Sequence, residues 1–140
     1  MLVEANKIEK KCLISNKFII SILEQAGLFL KKTKKLPKEL SVAIVNDKII
    51  KKLNLFYRQK NEPTDVLSFK DPAQIIVSWP QIKKQAREQK HSQKKEMIFL
   101  LTHGFLHILG YVHKTKIQED LMEKQTQQVL AFLKKKNLLK

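Results

Sequence analysis

Short apolar runs of β-branched residues and longer stretches of helical period are interleaved along this chain without strict alternation, and that order restricts the fold more than any other feature. KFIISILEQAGLFLKK, residues 17–32, sets Phe18, Ile19, Ile22, Leu23, Ala26 and Leu30 at the three-and-four spacing of an amphipathic helix. The lysines from Lys31 to Lys35, closed by Pro37, then form an exit loop. Leu40 to Val45 predicts a strand, and Asn46-Asp47 offers an N-cap for a helix through about Tyr57. RQKNEP is a polar loop; beyond it Val66 to Phe69 and Ile75 to Ser78 predict two further strands, broken by Asp71-Pro72. Trp79-Pro80 opens a polar helix to about Gln89, and KHSQKK reads as a basic link. A strongly apolar helix follows from Met97 to about Leu109, then a last one from about Ile117 to Lys135 with Leu121, Val129, Leu130 and Leu133 on one stripe. The expected fold is α+β, a small mixed sheet covered by helices with a metal site at one helix end. With no internal repeat and no long linker, residues 1–140 are expected to form a single domain.

The formal net charge of +15 favours a polyanionic partner, RNA or DNA before an anionic membrane surface. Lysine supplies nearly all of it, since Arg58 and Arg87 are the only arginines. Cys12 is the only cysteine, so no intramolecular disulfide can form and a thiolate zinc cluster is excluded. Any metal site has to use imidazole or carboxylate. No stretch approaches a membrane span and MLVEANKIEKKCL lacks the pattern of a secretory signal, so a soluble cytoplasmic protein is expected.

Residues 103–113 read HGFLHILGYVH. His103 and His107 stand four apart on the apolar helix, so both imidazoles leave the same face about 6 Å apart along the axis and can converge on one ion. Gly110 falls just past the helix end, where a left-handed backbone is needed, and the chain can then double back to deliver His113. This is the H-x-x-x-H-x-x-G-x-x-H ligand frame of the metzincin proteases, whose three histidines leave a coordination position open to water. An open position makes a site catalytic rather than structural, and zinc is the expected ion. The glutamate that serves those proteases as general base is here Gly104, so a peptidase mechanism is poorly supported. His91, in the lysine-rich link, reads as a surface residue.

HGFLHILGYVH resembles the motif HGxLHLxGYDH of the YbeY family of bacterial rRNA maturation endoribonucleases, and LNLFYRQKNEPTDVLSF, Leu53 to Phe69, resembles that family's LNxxYRxxxxPTDVLSF. The resemblance spans roughly Leu40 to Gln128. It implies a metal-dependent, single-strand-directed endoribonuclease that acts on the 3′ end of small-subunit rRNA and in ribosome quality control, with RNA and the small subunit as partners. It implies one Zn2+ on His103, His107 and His113, and it places the family's arginine on Arg58, as the catalytic residue. A guanidinium grips a phosphate through two parallel hydrogen bonds, which lysine cannot do. Thr64 and Asp65 are expected to shape the loop through side-chain to backbone bonds, and Ser68 faces either the substrate or solvent. Gly104 is expected to leave space for the RNA backbone. Two family carboxylates are missing: Val112 stands in the family's GYDH, and Gln74 in its Gly-Asp-Ile. Asp71, Glu119 and Asp120 are the candidates to compensate. The rival expectation is a basic ribosome-associated protein that has kept the zinc and lost catalysis.

Overall fold

The structure, a computed structural model, describes residues 1–139. Its elements are β1 (Leu2–Lys7), α1 (Asn16–Leu30), β2 (Glu39–Val45), α2 (Asp47–Arg58), β3 (Val66–Lys70), β4 (Ala73–Ser78), α3 (Trp79–Gln89), α4 (Gln93–Ile108) and α5 (Lys116–Lys135). The four strands form one sheet in the order β1-β2-β4-β3. β1 and β4 run parallel to β2, and β3 runs antiparallel to β4, so the expected mixed sheet is present.

Alternation along the strands separates two apolar layers. Ile75 and Val77 of β4 join Val42 and Ile44 of β2 in the main core, together with Leu101 and Phe105 of α4 and Ile22 and Leu23 of α1. On the opposite face Val45, Leu67 and Ile76 enclose Ile50 of α2. In β3, Val66 packs on the main core while Leu67 and Phe69 belong to the α2 side, so the short polar residue between them, Ser68, shares the α4 face.

Sequence reasoning missed β1. Of its six residues only Val3 is buried, paired in register with Leu40, so the strand has almost no hydrophobic alternation to read. The basic link before α4 is also shorter than expected. Ser92 accepts a hydrogen bond from the Lys95 N–H at 3.1 Å and caps the helix, which therefore begins at Gln93. On α5 the buried stripe is Met122, Thr126, Val129 and Leu133, and Leu121 lies outside it, exposed to solvent. Ser15, Asn46, Ser78 and Thr115 cap the remaining helices through their side-chain oxygens. Such caps contribute about 1 kcal/mol each by giving an orphan backbone N–H a partner.

Gly104 is buried in α4 and faces the sheet. A Cβ there would lie 3.2 Å from Ile75 Cγ2 and 3.4 Å from Val66 Cγ2. The missing side chain therefore brings α4 close to β3 and β4, and the expectation that it makes room for RNA is overturned. Gly104→Val should be overpacked by about 1–3 kcal/mol and lower the melting temperature measured by circular dichroism, despite the better helix propensity of valine. An unchanged melting temperature would contradict the close approach.

Cys12 is buried, with its Sγ 3.9 Å from the Ile14 carbonyl oxygen, and burial pushes its thiol pKa up. The folded protein should resist iodoacetamide at about pH 8 and react fully once unfolded in denaturant, as mass spectrometry would read.

Candidate metal centre

The end of α4 is built around one glycine. Gly110 has φ +104°, a conformation that a side chain disfavours. The Gly110 N–H donates to the His107 carbonyl at 3.0 Å and the Tyr111 N–H to the Leu106 carbonyl at 3.0 Å. Together these two bonds form a Schellman motif, which satisfies carbonyls left open at the helix end and folds the chain back on itself. The same reversal points the Tyr111 carbonyl at the helix it has just left, where it accepts from His107 Nδ1 at 2.9 Å.

A carbonyl oxygen only accepts, so that contact keeps the proton on Nδ1 of His107 and leaves a lone pair on its Nε2. This Nε2 lies 3.0 Å from Nε2 of His103, one helical turn earlier. His113 follows the bend, its ring centroid 5.1 Å from that of His107 and 6.0 Å from that of His103. One nitrogen from each of the three rings falls within 4.8 Å of the others, so the trio expected from the sequence is assembled and can hold a metal ion. Zinc–imidazole bonds of about 2.0–2.1 Å in tetrahedral array require donors roughly 3.3 Å apart, which the His103–His107 pair nearly meets. His113 is exposed on the loop that follows α4. The donor set thus fits one divalent cation.

Electrostatics favour the neutral, ligating form of two of these rings. Burial lowers the pKa of His103, the neighbouring imidazoles add to the effect, and Asp65 works against it. Burial likewise lowers that of His107, against its hydrogen bond to Tyr111, with the positive charges of Arg58 and Lys70 contributing.

The imidazoles open into a cleft of about 660 Å³. Arg58, in the last turn of α2, lines it, so the structure brings the sequence-predicted arginine to the histidines. Thr64, Asp65 and Ser68 line it as well. Asp65 shapes its loop as expected, its Oδ1 accepting from the Val66 N–H at 2.8 Å while its Oδ2 accepts from Gln85 at 3.1 Å. Asp65 is the acidic side chain of the cleft; Asp71, Glu119 and Asp120 are exposed elsewhere, and Asp120 pairs with Lys116 at 3.0 Å. Val112 also lines the cleft, an apolar side chain where the motif resemblance puts a carboxylate.

Three contributors were invisible in the sequence: the Tyr111 carbonyl, because backbone carries no residue signal; Lys70, one lysine among many; and Asn54, whose buried amide donates to the Glu62 carbonyl at 2.9 Å and ties down the loop after Arg58. His91 is not a simple surface residue. Its Nε2 lies 2.6 Å from the buried Glu96 carboxylate at the other end of α4.

A family model described as Endoribonuclease YbeY matches residues 3–134. The chain belongs to the YbeY endoribonuclease family. Relatives named Endoribonuclease YbeY include that of Syntrophomonas wolfei, 36% identical over 132 residues covering 81% of this chain and 85% of the relative. That of Phytoplasma mali is 34% identical over 132 residues, covering 84% and 86%. The Aster yellows witches'-broom phytoplasma protein is 39% identical over 97 residues, 61% of this chain and 66% of the relative's length. In fold, the chain is similar to the solution structure of TM1509 from Thermotoga maritima, with a TM-score of 0.64 and 24% identity over 98% of this chain and 95% of that one.

Adding Zn2+ to chelator-treated protein should raise the melting temperature as one equivalent binds, since an ion held only by the folded state adds about 2.7 kcal/mol at a hundredfold excess over Kd. In His113→Ala, whose side chain is exposed, the chelated protein should melt as wild type does and the zinc-induced rise should shrink strongly. An equal rise in both would remove His113 from the ligand set.

Proposed function

We propose that this chain is a zinc-dependent endoribonuclease that cuts single-stranded RNA in maturing the 3′ end of small-subunit rRNA and in ribosome quality control, working on the small subunit in the cytoplasm. The observation that carries this reading is the convergence of three imidazoles and one guanidinium on a single cleft of a strongly basic chain. Among the described residues no helix is long and apolar enough to cross a membrane.

His103, His107 and His113 would hold one Zn2+, which when bound supplies a Lewis acid for a phosphoryl oxygen or an activated water. Arg58 grips the scissile phosphate through its planar pair of N–H donors and stabilises charge that develops there as the bond breaks. Lys70, which lines the same cleft, adds a positive charge close to His107 and draws the phosphate backbone in. Asp65, held by the Val66 N–H and by Gln85, fixes the loop before β3 and presents a carboxylate close to His103.

Val112 favours a second reading, a zinc-containing RNA-binding protein with weakened catalysis, because the cleft has an apolar side chain at the family's aspartate position. Cleavage of single-stranded RNA by wild type, His107→Ala and Arg58→Ala separates the two. Arg58→Ala should lose about 10²–10³ in rate, as when a donor to developing charge is removed. Arg58→Lys should recover little of it, because a point charge does not replace the fork. Equal cutting by all three proteins would assign the activity to a contaminant and leave the binding reading.

A further inference from the structure

Beside the metal ligands the surface carries aromatic rings that the chemistry described so far leaves unused. Phe56 is 74% exposed and Tyr57 is 53% exposed, adjacent in the last turn of α2. Their rings meet edge to face with centroids 4.8 Å apart, and Tyr57 meets Phe69 of β3 in the same manner at 4.9 Å. Phe69 packs against the apolar layer beneath α2. The three rings therefore form a ladder, anchored in the fold at Phe69 and ending in solvent at Phe56. Its middle and inner rungs, Tyr57 and Phe69, line the same cleft as Arg58, Lys70 and the imidazoles.

Apolar rings left in water forgo the free energy that burial would release, so a cluster of this kind marks a contact surface. Its surroundings say with what. Exposed Arg58 and Lys70 line the cleft with Tyr57 and Phe69, Lys52 is exposed one turn before Phe56 on α2, and the chain as a whole carries +15. A partner that combines flat apolar faces with dense negative charge is a nucleic acid strand. In a duplex the base faces are already stacked on one another, so a protein ring can take a base only from an unpaired stretch.

We propose that Phe56 and Tyr57 are a stacking platform for unpaired bases of the RNA that enters the metal cleft, holding the strand while Arg58 takes its phosphate. This rests on the reading of the chain as an endoribonuclease. It assigns the preference for single strands to side chains that do not touch the reacting atoms: one or two bases rest on the rings, and the following phosphate reaches the guanidinium from the next residue of the same helix turn. Tyr57, with Phe69 behind it, is the fixed rung, and Phe56 extends the platform outward.

The test uses the zinc-loaded full chain and a short single-stranded 2′-O-methyl RNA carrying 2-aminopurine, whose fluorescence is quenched by stacking. Wild type should quench the probe, and Phe56→Ala/Tyr57→Ala should lose the quenching and bind about 10-fold to 100-fold more weakly. Tyr57→Phe, which keeps the ring, should behave as wild type, and affinity for double-stranded RNA should be the same in all three. Circular dichroism melting checks that the exposed substitutions leave the fold intact. The proposal is overturned if the double variant binds and quenches the single strand as wild type does, or if it weakens single-strand and duplex binding equally. It is also overturned if the substitutions alter only self-association by sedimentation, which would make the rings a protein interface. Cleavage assays on unmodified RNA keep the two readings apart: quenching without cleavage retains the platform and removes the nuclease, while cleavage unaffected by loss of the rings does the reverse.

Discussion

The bond from His107 Nδ1 to the Tyr111 carbonyl ties the chemistry of this molecule to its backbone. A histidine can ligate a cation only through a nitrogen that carries no proton, and a neutral imidazole has one such nitrogen, whose identity the environment decides. Here the deciding group belongs to the loop that brings in the third histidine. The bend at Gly110 thus orients one ring and supplies another, so the three-histidine array depends on a single turn of backbone. A metal ligand held by a hydrogen bond on its far nitrogen is also a stiffer and more basic one.

The sheet provides the complementary wall. Gly104 lets α4 approach Ile75 and Val66 closely, and β3 with the loop before it then lines the cleft together with the imidazoles. Ser68 and Phe69 show how one strand serves both layers: Ser68 lines the cleft from the face that packs on α4, while Phe69 packs in the layer beneath α2, meets Tyr57 edge to face and lines the cleft as well. The missing side chain in α4 thereby lets the helix that carries two of the histidines sit close to the strand that carries Ser68 and Lys70.

Much of this was legible in the sequence because the signals were periodic or tightly spaced. The four-residue interval between His103 and His107, with a glycine three residues further on, fixes a common helix face and a reversal, and the site follows. Strand β2 announced itself as a run rich in β-branched residues, β3 and β4 as short apolar runs set off by Pro63 and Asp71-Pro72, and Asn46 as a cap. What stayed hidden is tertiary in origin. β1 exists because an edge of the sheet has a vacant ladder, with one buried residue to show for it. Gly104 looked like an opening because a sequence gives a residue's size but not the direction in which it faces. His91 looked exposed because its partner Glu96, five residues on, is buried by the packing of α4 and not by any pattern of its own.

That last pair, with the histidine trio, occupies the two ends of one helix. Glu96 lies in the first turn of α4, where aligned peptide dipoles leave a fractional positive charge, and the imidazole cluster lies at the carboxyl end, where they leave a fractional negative one. An acid at one pole and a cation at the other both run with the axial field, each by about 0.3–1 kcal/mol at exposed positions and more where solvent is excluded. The polarity of this one rod therefore favours positive charge at its tip, where the imidazoles could hold a cation, while the guanidinium of Arg58 and the ammonium of Lys70 on the neighbouring elements supply the positive field of the cleft that the helix itself does not.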